Sequence, residues 1–202
     1  MDAHCLLSLL IPTVPRRFDA AFPKLIHELL RQTEGRNDVE VLGLFDNRKR
    51  TIGTKRNNLL QMARGDYLAF IDDDDWVVPD YIDVLCRELR ERPKIDLLLF
   101  DVQMTYPENQ HPDCLCHYDL AYKFELARDG KTYRGPPAHI HVWRSSLAKQ
   151  FAFPEGGHLG QYGEDTHWTG RAKLAVEHHH TLDRVMYYYR ANPNTSEAAR
   201  GD

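Results

Sequence analysis

The chain has 202 residues, 42% of them hydrophobic, which is enough for one substantial core. The formal net charge of -4 excludes a protein that is basic overall, so any contact with a nucleic acid would have to be local. Four unevenly spaced cysteines exclude a secreted disulfide framework, and no second Cys/His pair completes a zinc finger with Cys114 and Cys116. The apolar run near the N-terminus is too short to cross a membrane, and we expect a soluble, cytoplasmic protein.

Four short apolar runs in the first half of the chain predict buried strands: "CLLSLLIPTVP", "DVEVLGLFD", "DYLAFIDD" and "KIDLLLFDVQMTY". Three helices are predicted between them. The first covers residues 18–32, the second has Thr54 as its N-cap and Gly65 just after its end, and the third begins at Pro79. This alternation favours a parallel sheet with right-handed crossovers, and therefore an α/β fold.

The second half of the chain has a looser pattern. Residues 107–137 are polar and rich in turns, and their aromatic segments "LAYKFEL" and "KTYRGPP" are candidates for a hairpin. Two helices are predicted at "SSLAKQF" and "EDTHWTGRAKLA", and a closing strand at "TLDRVMYYYR". Because no linker or repeat separates the halves, we expect a single domain over residues 1–202.

An acidic run, Asp72 to Asp75, follows the third predicted strand, and four adjacent like charges repel each other unless a partner compensates them. Ligands of open parallel sheets bind at the carboxyl ends of the strands, where the basic loop "DNRKR" also lies. Carboxylates bind Mg²⁺ or Mn²⁺, the cation bridges to phosphate oxygens, and Arg or Lys neutralises the remaining charge. The run therefore predicts a phosphate ester held through a divalent cation. A simple helix cap near Pro79 is the alternative, but it explains only one or two of the aspartates.

Four segments resemble, in order and spacing, family-2-type nucleotide-sugar glycosyltransferases: "LLSLLIPTVPRR", "VLGLFDN", "IGTKRNNLLQMARGDYLAFIDDDDW" and "GEDTHW". The resemblance covers residues 5 to about 82, resumes at about 135–172 and includes the closing "MYYYR". It implies a single GT-A-type domain, in which a Rossmann-like, mostly parallel sheet is flanked by helices and joined to a smaller acceptor-side β region. Residues 1–106 would form the nucleotide-sugar-binding half and residues 107–202 the acceptor-binding half.

The resemblance also implies roles for individual positions. Asp165 would be the catalytic base, with Glu164 beside it, and Asp74 with Asp72 would hold the metal, in a register that is open by one residue. Asp46 would hydrogen-bond the base, usually uracil. The residues implied in nucleotide-sugar binding are Pro12, Thr13, Val14, Asp46, Arg56, Asn57, Asp72 and Asp73. The residues expected at the acceptor wall are Trp143 and Arg144.

Several of these residues have an ordinary structural alternative. Asp46 could begin a turn, Arg56 could be a surface residue of a helix, and Asp165 could be a helix N-cap. Trp143 is equally compatible with a tryptophan of the core.

The sequence departs from the family pattern at two places. The loop after the second strand reads "DNRKRTIG" instead of a run of acid, Gly, Ser and Thr, so Arg48 or Lys49 would supplement the metal at the phosphates. Many relatives carry a metal-binding histidine just after the closing strand, where this chain has Ala191 and Asn192. The candidates for a substitute ligand are His178, His179 and His180, which could equally be surface histidines.

These features lead us to expect a metal-dependent, inverting glycosyltransferase that uses a nucleotide-sugar donor, UDP-linked in the first instance. A nucleotidyltransferase is one alternative, because it also uses clustered aspartates and metal ions. A non-catalytic module that binds nucleotide-sugars or carbohydrates is another. The acceptor stays open between a saccharide, a lipid-linked glycan, a protein and a hydroxymethylated base in DNA. The donor sugar and the oligomeric state stay open as well.

Overall fold

The computed structural model describes residues 4–18, 22–106, 113–128 and 130–191. Its strands are β1 (Leu7–Thr13), β2 (Val39–Phe45), β3 (Tyr67–Phe70), β4 (Trp76–Val77), β5 (Leu97–Thr105), β6 (Cys114–Tyr118), β7 (Glu125–Leu126), β8 (Thr132–Gly135), β9 (Val142–Arg144) and β10 (His179–Arg190). Its helices are α1 (Phe22–Thr33), α2 (Ile52–Met62), α3 (Tyr81–Glu91), α4 (Ser145–Ala148), α5 (Gly157–Gln161) and α6 (Glu164–Ala172). Short 3-10 turns lie at Pro15–Arg17 and Lys173–Ala175.

The ten described strands form one mixed sheet whose longest pairings are parallel. Strand β1 lies between β2 and β3 and is parallel to both. Strand β9 is antiparallel to β3 and to β5, so β3 and β5 run in the same direction. Strand β10 is parallel to β5 and antiparallel to β4. The smaller group β6, β8 and β7 extends the sheet from β5.

Helices cover both faces of the sheet, which explains the unbroken apolar sequence of its strands. In β1 the side chains of Leu7, Leu9 and Ile11 point to the core under α1 and α3, whereas Leu10 points to the core under α2, α4 and α6. All seven residues of β1 are buried. No helix among the described residues is both long and apolar enough to cross a membrane.

The four strands predicted in the first half agree with β1, β2, β3 and β5. The first helix agrees from Phe22 onwards, whereas Phe18 follows the 3-10 turn Pro15–Arg17 and residues 19–21 of the predicted range lie outside the described residues. The predicted N-cap Thr54 is wrong by one turn: α2 begins at Ile52, and the side chain of Thr51 accepts a hydrogen bond from the Thr54 amide. The proposed hairpin is present as β7 and β8.

Sequence patterns missed β4, β6, β9 and α5, each of two to five residues. Such short elements are specified by their neighbours in the sheet more than by their own periodicity. Strand β9 matters most, because it connects the β1–β3 half of the sheet to β5.

Candidate active site

A cavity of about 290 Å³ opens at the carboxyl ends of β1 and β3, the edge at which open α/β sheets bind ligands. It is lined by the loop after β1, the first turns of α2, the loop after β3, the start of α6 and the end of β10. The predicted site residues in its wall are Pro12, Thr13, Val14, Arg56, Asp72, Asp73, Asp74, Glu164 and Asp165. The other charged residues of the wall were not among the predicted site residues; they are Arg17, Lys55 and Arg190.

Asp72 and Asp74, in the loop after β3, have a different environment from Asp75 at the end of the acidic run. The side chains of Asp72 and Asp74 are each 24% exposed and belong to the cavity wall. Asp75 is buried and accepts hydrogen bonds from the Tyr187 hydroxyl and the Arg190 amide, both at 2.8 Å. The Tyr187 hydroxyl also accepts from the Asp72 amide at 3.0 Å. The end of β10 therefore anchors the acidic loop.

Arg17 is the nearest basic partner of the middle two aspartates. Its guanidinium lies 3.3 Å from an oxygen of Asp73 and 2.9 Å from an oxygen of Asp74. Asp73 also accepts a hydrogen bond of 2.6 Å from the Thr13 hydroxyl. Burial nevertheless raises the pKa of Asp73 to about 6, against the lowering effect of Thr13 and Arg17. Burial thus disfavours the ionised form of Asp73 in this loop.

Arg56 lies at the base of the cavity and is 4% exposed, which excludes the alternative of a surface helix residue. Its guanidinium lies over the rings of Phe70 and Phe153, 5.8 and 5.7 Å from their centres. It forms ion pairs with Glu164 and, at 2.9 Å, with Asp72. Burial opposes its charge, but the surrounding carboxylates outweigh burial and raise the pKa of Arg56.

His139 completes this charged cluster, and the sequence analysis did not assign it a role. Its Nε2 lies 3.2 Å from Asp72 and its Nδ1 lies 3.4 Å from Asp165. Burial and Arg56 oppose protonation, yet the carboxylates raise the pKa of His139 to about 9. The ring also contacts Arg56 at 3.0 Å, so Asp72, Glu164 and Asp165 surround the two groups together. The available sequence signal was a pair of histidines within the otherwise apolar run "PPAHIHVW".

The two acids at the start of α6 have separate surroundings. Gly163, with φ of 77°, is the N-cap, so Asp165 is not the N-cap residue. The Asp165 side chain is 36% exposed at the cavity, and one of its oxygens accepts from the Thr166 amide at 2.7 Å. Burial raises its pKa, but His139 outweighs burial and holds the pKa of Asp165 below its usual range. Glu164 is 5% exposed, and burial raises its pKa although Arg56 lies beside it.

Asp46 lies beside the cavity, behind Lys55. The Lys55 ammonium lies 2.9 Å from Asp46 and donates to the Thr13 carbonyl at 3.0 Å. Asp46 also accepts from the amides of Arg48 and Arg50, each at 3.0 Å, which shapes the turn after β2. Asp46 thus takes part in the turn after β2, and its contact with a nucleobase stays a prediction.

The structure does not bring the two predicted acceptor residues to the cavity. Trp143 is 0% exposed, packs edge-on against Trp168 at 5.0 Å and donates to the Ala138 carbonyl, so it is a core tryptophan. Arg144 lies at the opposite edge of the sheet and pairs with Asp96 at 3.2 Å. Because β9 turns Trp143 into the core and ends with Arg144 at that edge, the prediction of an acceptor wall formed by these two residues is wrong.

Asn57 is also absent from the cavity wall. Its side chain donates to the Phe153 carbonyl at 2.9 Å and accepts from the Phe153 amide at 2.8 Å. The neighbouring Gly53 allows this approach, since a Cβ there would lie 1.8 Å from the Pro154 carbonyl oxygen. Asn57 therefore fastens the segment that leads to α6 onto α2 instead of facing the predicted nucleotide.

No group of three or more His, Cys, Asp or Glu side chains in the part of the chain that the structure describes is arranged to hold a metal ion. The three candidate histidines lie at the beginning of β10, where His179 pairs with Leu97 in the register of the sheet. That edge is opposite the acidic loop, so the histidines do not complete a site with Asp74. Asn192 lies outside the described residues.

The sequence model of Glycosyl transferase family 2 matches residues 23–150, more than half of the chain. The chain belongs to glycosyl transferase family 2. The family predicted from the four sequence segments is therefore confirmed. This family-2 chain is 26% identical over 154 residues to EpsH of Bacillus subtilis (strain 168), a protein named as a glycosyltransferase. The match covers 69% of the chain and 41% of EpsH, so the chain spans less than half the length of that relative.

Solved structures resemble the family-2 chain over nearly its whole length. The structure of S. aureus TarS 1-349 in complex with UDP-GlcNAc aligns with a TM-score of 0.66 and 16% identity, covering 98% of this chain and 62% of that one. The structure of A197 from STIV aligns with a TM-score of 0.51 and 17% identity, covering 93% of this chain and 86% of A197. At these identities the likeness concerns the fold, and it confirms the predicted α/β fold of GT-A type.

Proposed function

We propose that this family-2 chain transfers a sugar from a UDP-linked donor to an acceptor hydroxyl, with inversion at the anomeric carbon. The observation that carries the proposal is one cavity, lined both by the acidic loop Asp72–Asp74 and by Asp165 of α6. In this proposal residues 1–106 form the donor half, which supplies β1, α2 and the acidic loop. Residues 107–202 form the acceptor half, which supplies Asp165.

The donor is assigned to the side of the cavity that the basic residues line. Arg17, Lys55 and Arg190 belong to this wall and would stabilise the negative charge of a diphosphate. Pro12, Thr13 and Val14 would lie along the nucleotide, with Asp46 behind Lys55 at the same end. The structural likeness to TarS, whose structure holds UDP-GlcNAc, supports a UDP-linked donor.

The acidic loop suits a divalent cation delivered with the donor. Asp72 and Asp74 offer hard oxygen ligands, and both are partly exposed in the cavity wall. Mg²⁺ and Mn²⁺ are commonly held by one or two carboxylates together with substrate phosphates and water. Asp74, with Asp72, would hold the cation, and the cation would supply positive charge where the diphosphate departs.

The proposed reaction is a single displacement. Asp165 removes the proton of the acceptor hydroxyl, whose oxygen attacks the anomeric carbon while the bond from that carbon to the diphosphate breaks. The proton remains on Asp165, and the diphosphate leaves towards Arg17, Lys55 and Arg190. Glu164 is almost completely buried and paired with Arg56, so it holds Arg56 in place and is not the first candidate for the base. Positioning and electrostatics provide most of the rate enhancement.

A screen of nucleotide-sugars tests the proposal, with the released nucleotide identified with and without EDTA. Release of UDP that EDTA suppresses supports the metal-dependent transfer. Release of pyrophosphate in a parallel assay with nucleoside triphosphates and sugar 1-phosphates would indicate nucleotidyl transfer instead, and donor binding without any turnover would indicate a binding module. UDP release that EDTA leaves unchanged would remove the metal from the mechanism while the transfer itself stands.

A further inference from the structure

The imidazole of His139 connects two parts of the cavity that come from distant segments of the chain. It is 6% exposed and lies between Asp72, on the loop after β3, and Asp165, on α6. Its Nε2 is 3.2 Å from Asp72 Oδ2, and its Nδ1 is 3.4 Å from Asp165 Oδ2. The ring thus places one nitrogen towards the donor side of the proposed site and the other towards the proposed base.

Hydrogen bonds of His141 hold the backbone that carries His139 in place. His141, two residues later, is wholly buried, and its Nδ1 accepts from the Ala138 amide at 2.9 Å. Its Nε2 donates to the Phe100 carbonyl on β5 at 3.2 Å. The first bond closes a tight turn over residues 138–141, and the second ties this turn to the sheet. Together they fix the position of the His139 backbone relative to the sheet.

The Asp165 carboxylate is held on both of its oxygens. Oδ1 accepts from the Thr166 amide at 2.7 Å, and Oδ2 faces His139 Nδ1. A carboxylate with a single tether can rotate about its side-chain bonds, whereas two tethers define the plane of the group and the direction of its free lone pairs. A general base depends on that direction, since small displacements from the reactive geometry lower the rate steeply.

We propose that His139 is a positioning residue, whose Nδ1 orients the Asp165 carboxylate for proton abstraction and whose Nε2 holds Asp72 on the donor side. This inference rests on the proposed function, in which Asp165 is the base. The residue does not touch the reacting atoms in this proposal. It acts through the two acids that it joins.

Two substitutions separate the two nitrogens of the ring. In His139→Asn the side-chain amide nitrogen reaches about the place of Nδ1, and in His139→Gln it reaches about the place of Nε2. His139→Gln should therefore lose turnover while UDP binding stays close to wild type. His139→Asn should retain more turnover but bind UDP more weakly, because Asp72 keeps Arg56 as a partner but loses its contact with the ring. We expect kcat of the Gln variant to be at least about tenfold below that of the Asn variant.

The measurements are UDP release from the donor selected by the nucleotide-sugar screen, UDP affinity by calorimetry and melting temperature. His141→Asn is the matched control, since it loosens the same turn without touching Asp72 or Asp165. A merely structural role predicts that all three variants lose turnover in proportion to their loss of stability. Equal kcat in the Asn and Gln variants, or a loss in the control that matches the loss in His139→Gln, would overturn the inference.

A double-substitution experiment tests whether His139 acts through Asp165. In an Asp165→Asn background, His139→Gln should lower turnover no further, because the base that it positions is already gone. A full additional loss would assign His139 a role independent of Asp165 and overturn the inference, while the proposed function stands. Wild-type turnover in Asp165→Asn alone would overturn the assignment of the base and, with it, this inference.

Discussion

Two groups of charged residues lie at opposite edges of the same sheet and are built in opposite ways. At the edge where β5 begins, the Asp96 carboxylate accepts from Arg144 at 3.2 Å and from the amides of Glu177 and His178, each at 3.0 Å. Burial raises the pKa of Asp96, but these donors outweigh burial and lower it. This carboxylate has enough donors for its charge, and it ties β5, β9 and β10 together.

At the cavity edge, burial disfavours the ionised form of two acids. Burial raises the pKa of Asp73 to about 6 and raises the pKa of Asp75 well above its usual range, and the neighbouring aspartates add to both shifts. The comparison teaches that a buried acid with a full set of donors stabilises the fold. A cluster of acids with too few donors weakens the fold and is available to bind a ligand.

The comparison first predicts that a substitution of Asp74 lowers the activity of the protein but not its stability. Asp74→Ala should lower turnover by about 10³-fold or more, since the proposed metal ligand is lost. Its free energy of unfolding should stay near wild type, because Arg17 keeps Asp73 as a partner. Urea unfolding and UDP release measure the two effects. Full activity of this variant would contradict the metal-dependent mechanism.

Asp165→Asn should lower turnover by roughly 10²-fold, the usual scale for a general base, while the melting temperature and UDP affinity change little. The fold should tolerate the change because Gly163, not Asp165, is the N-cap of α6. Wild-type turnover on the true acceptor would exclude Asp165 as the base, and Glu164 would be the next residue to test.

Asp96→Asn should show the reverse profile, with activity kept and about 2 kcal/mol of stability lost, since hydrogen bonds to a charged group disappear. The pKa of Asp96 is lower in the folded protein than its ordinary value of 3.8, so its ionised form stabilises the fold above that pH. The loss should therefore be greatest near neutral pH and shrink as the pH falls below about 4. Urea unfolding across this pH range measures it, and a loss that does not depend on pH would contradict the charge-based explanation.

Asp73→Asn should change the stability with the opposite sign. The pKa of Asp73 is raised from 3.8 to about 6, so ionisation of Asp73 destabilises the fold as the pH rises through that interval. The variant should be more stable than wild type at pH 7 to 8 by about 3 kcal/mol at most, with no difference below about pH 4. Urea unfolding in the presence of EDTA measures this difference. A variant that is less stable than wild type at pH 8 would show that Thr13 and Arg17 fully compensate the charge of Asp73.

The sequence predicted those features that depend on local pattern. Apolar runs identified the principal strands, and four adjacent aspartates predicted a ligand site because no local role explains so many like charges. The cavity does gather Asp72, Asp73, Asp74 and Asp165.

Features that depend on how distant segments meet could not be predicted in the same way. A histidine in an apolar run is ordinary in a core, and the place of His139 follows from the packing of residues 72, 139 and 165 against one another. Trp143 was assigned to the acceptor wall because its position along the chain does not reveal which face of the sheet it occupies. Packing likewise determines which side chains line the cavity, so the sequence did not predict Arg17 as one of them.

The anchoring of Asp75 by β10 has a consequence for the order in which the protein forms during synthesis. Tyr187 and Arg190 are separated from Asp75 by 112 and 115 residues. Contacts between such distant segments form late, because a long loop must close before they contribute. The acidic loop thus leaves the ribosome well before its anchor and stays hydrated until β10 pairs with β5. Closure of the sheet and assembly of the donor site are then one event, and a nascent chain that lacks the closing strand has no complete site with which to capture a nucleotide-sugar.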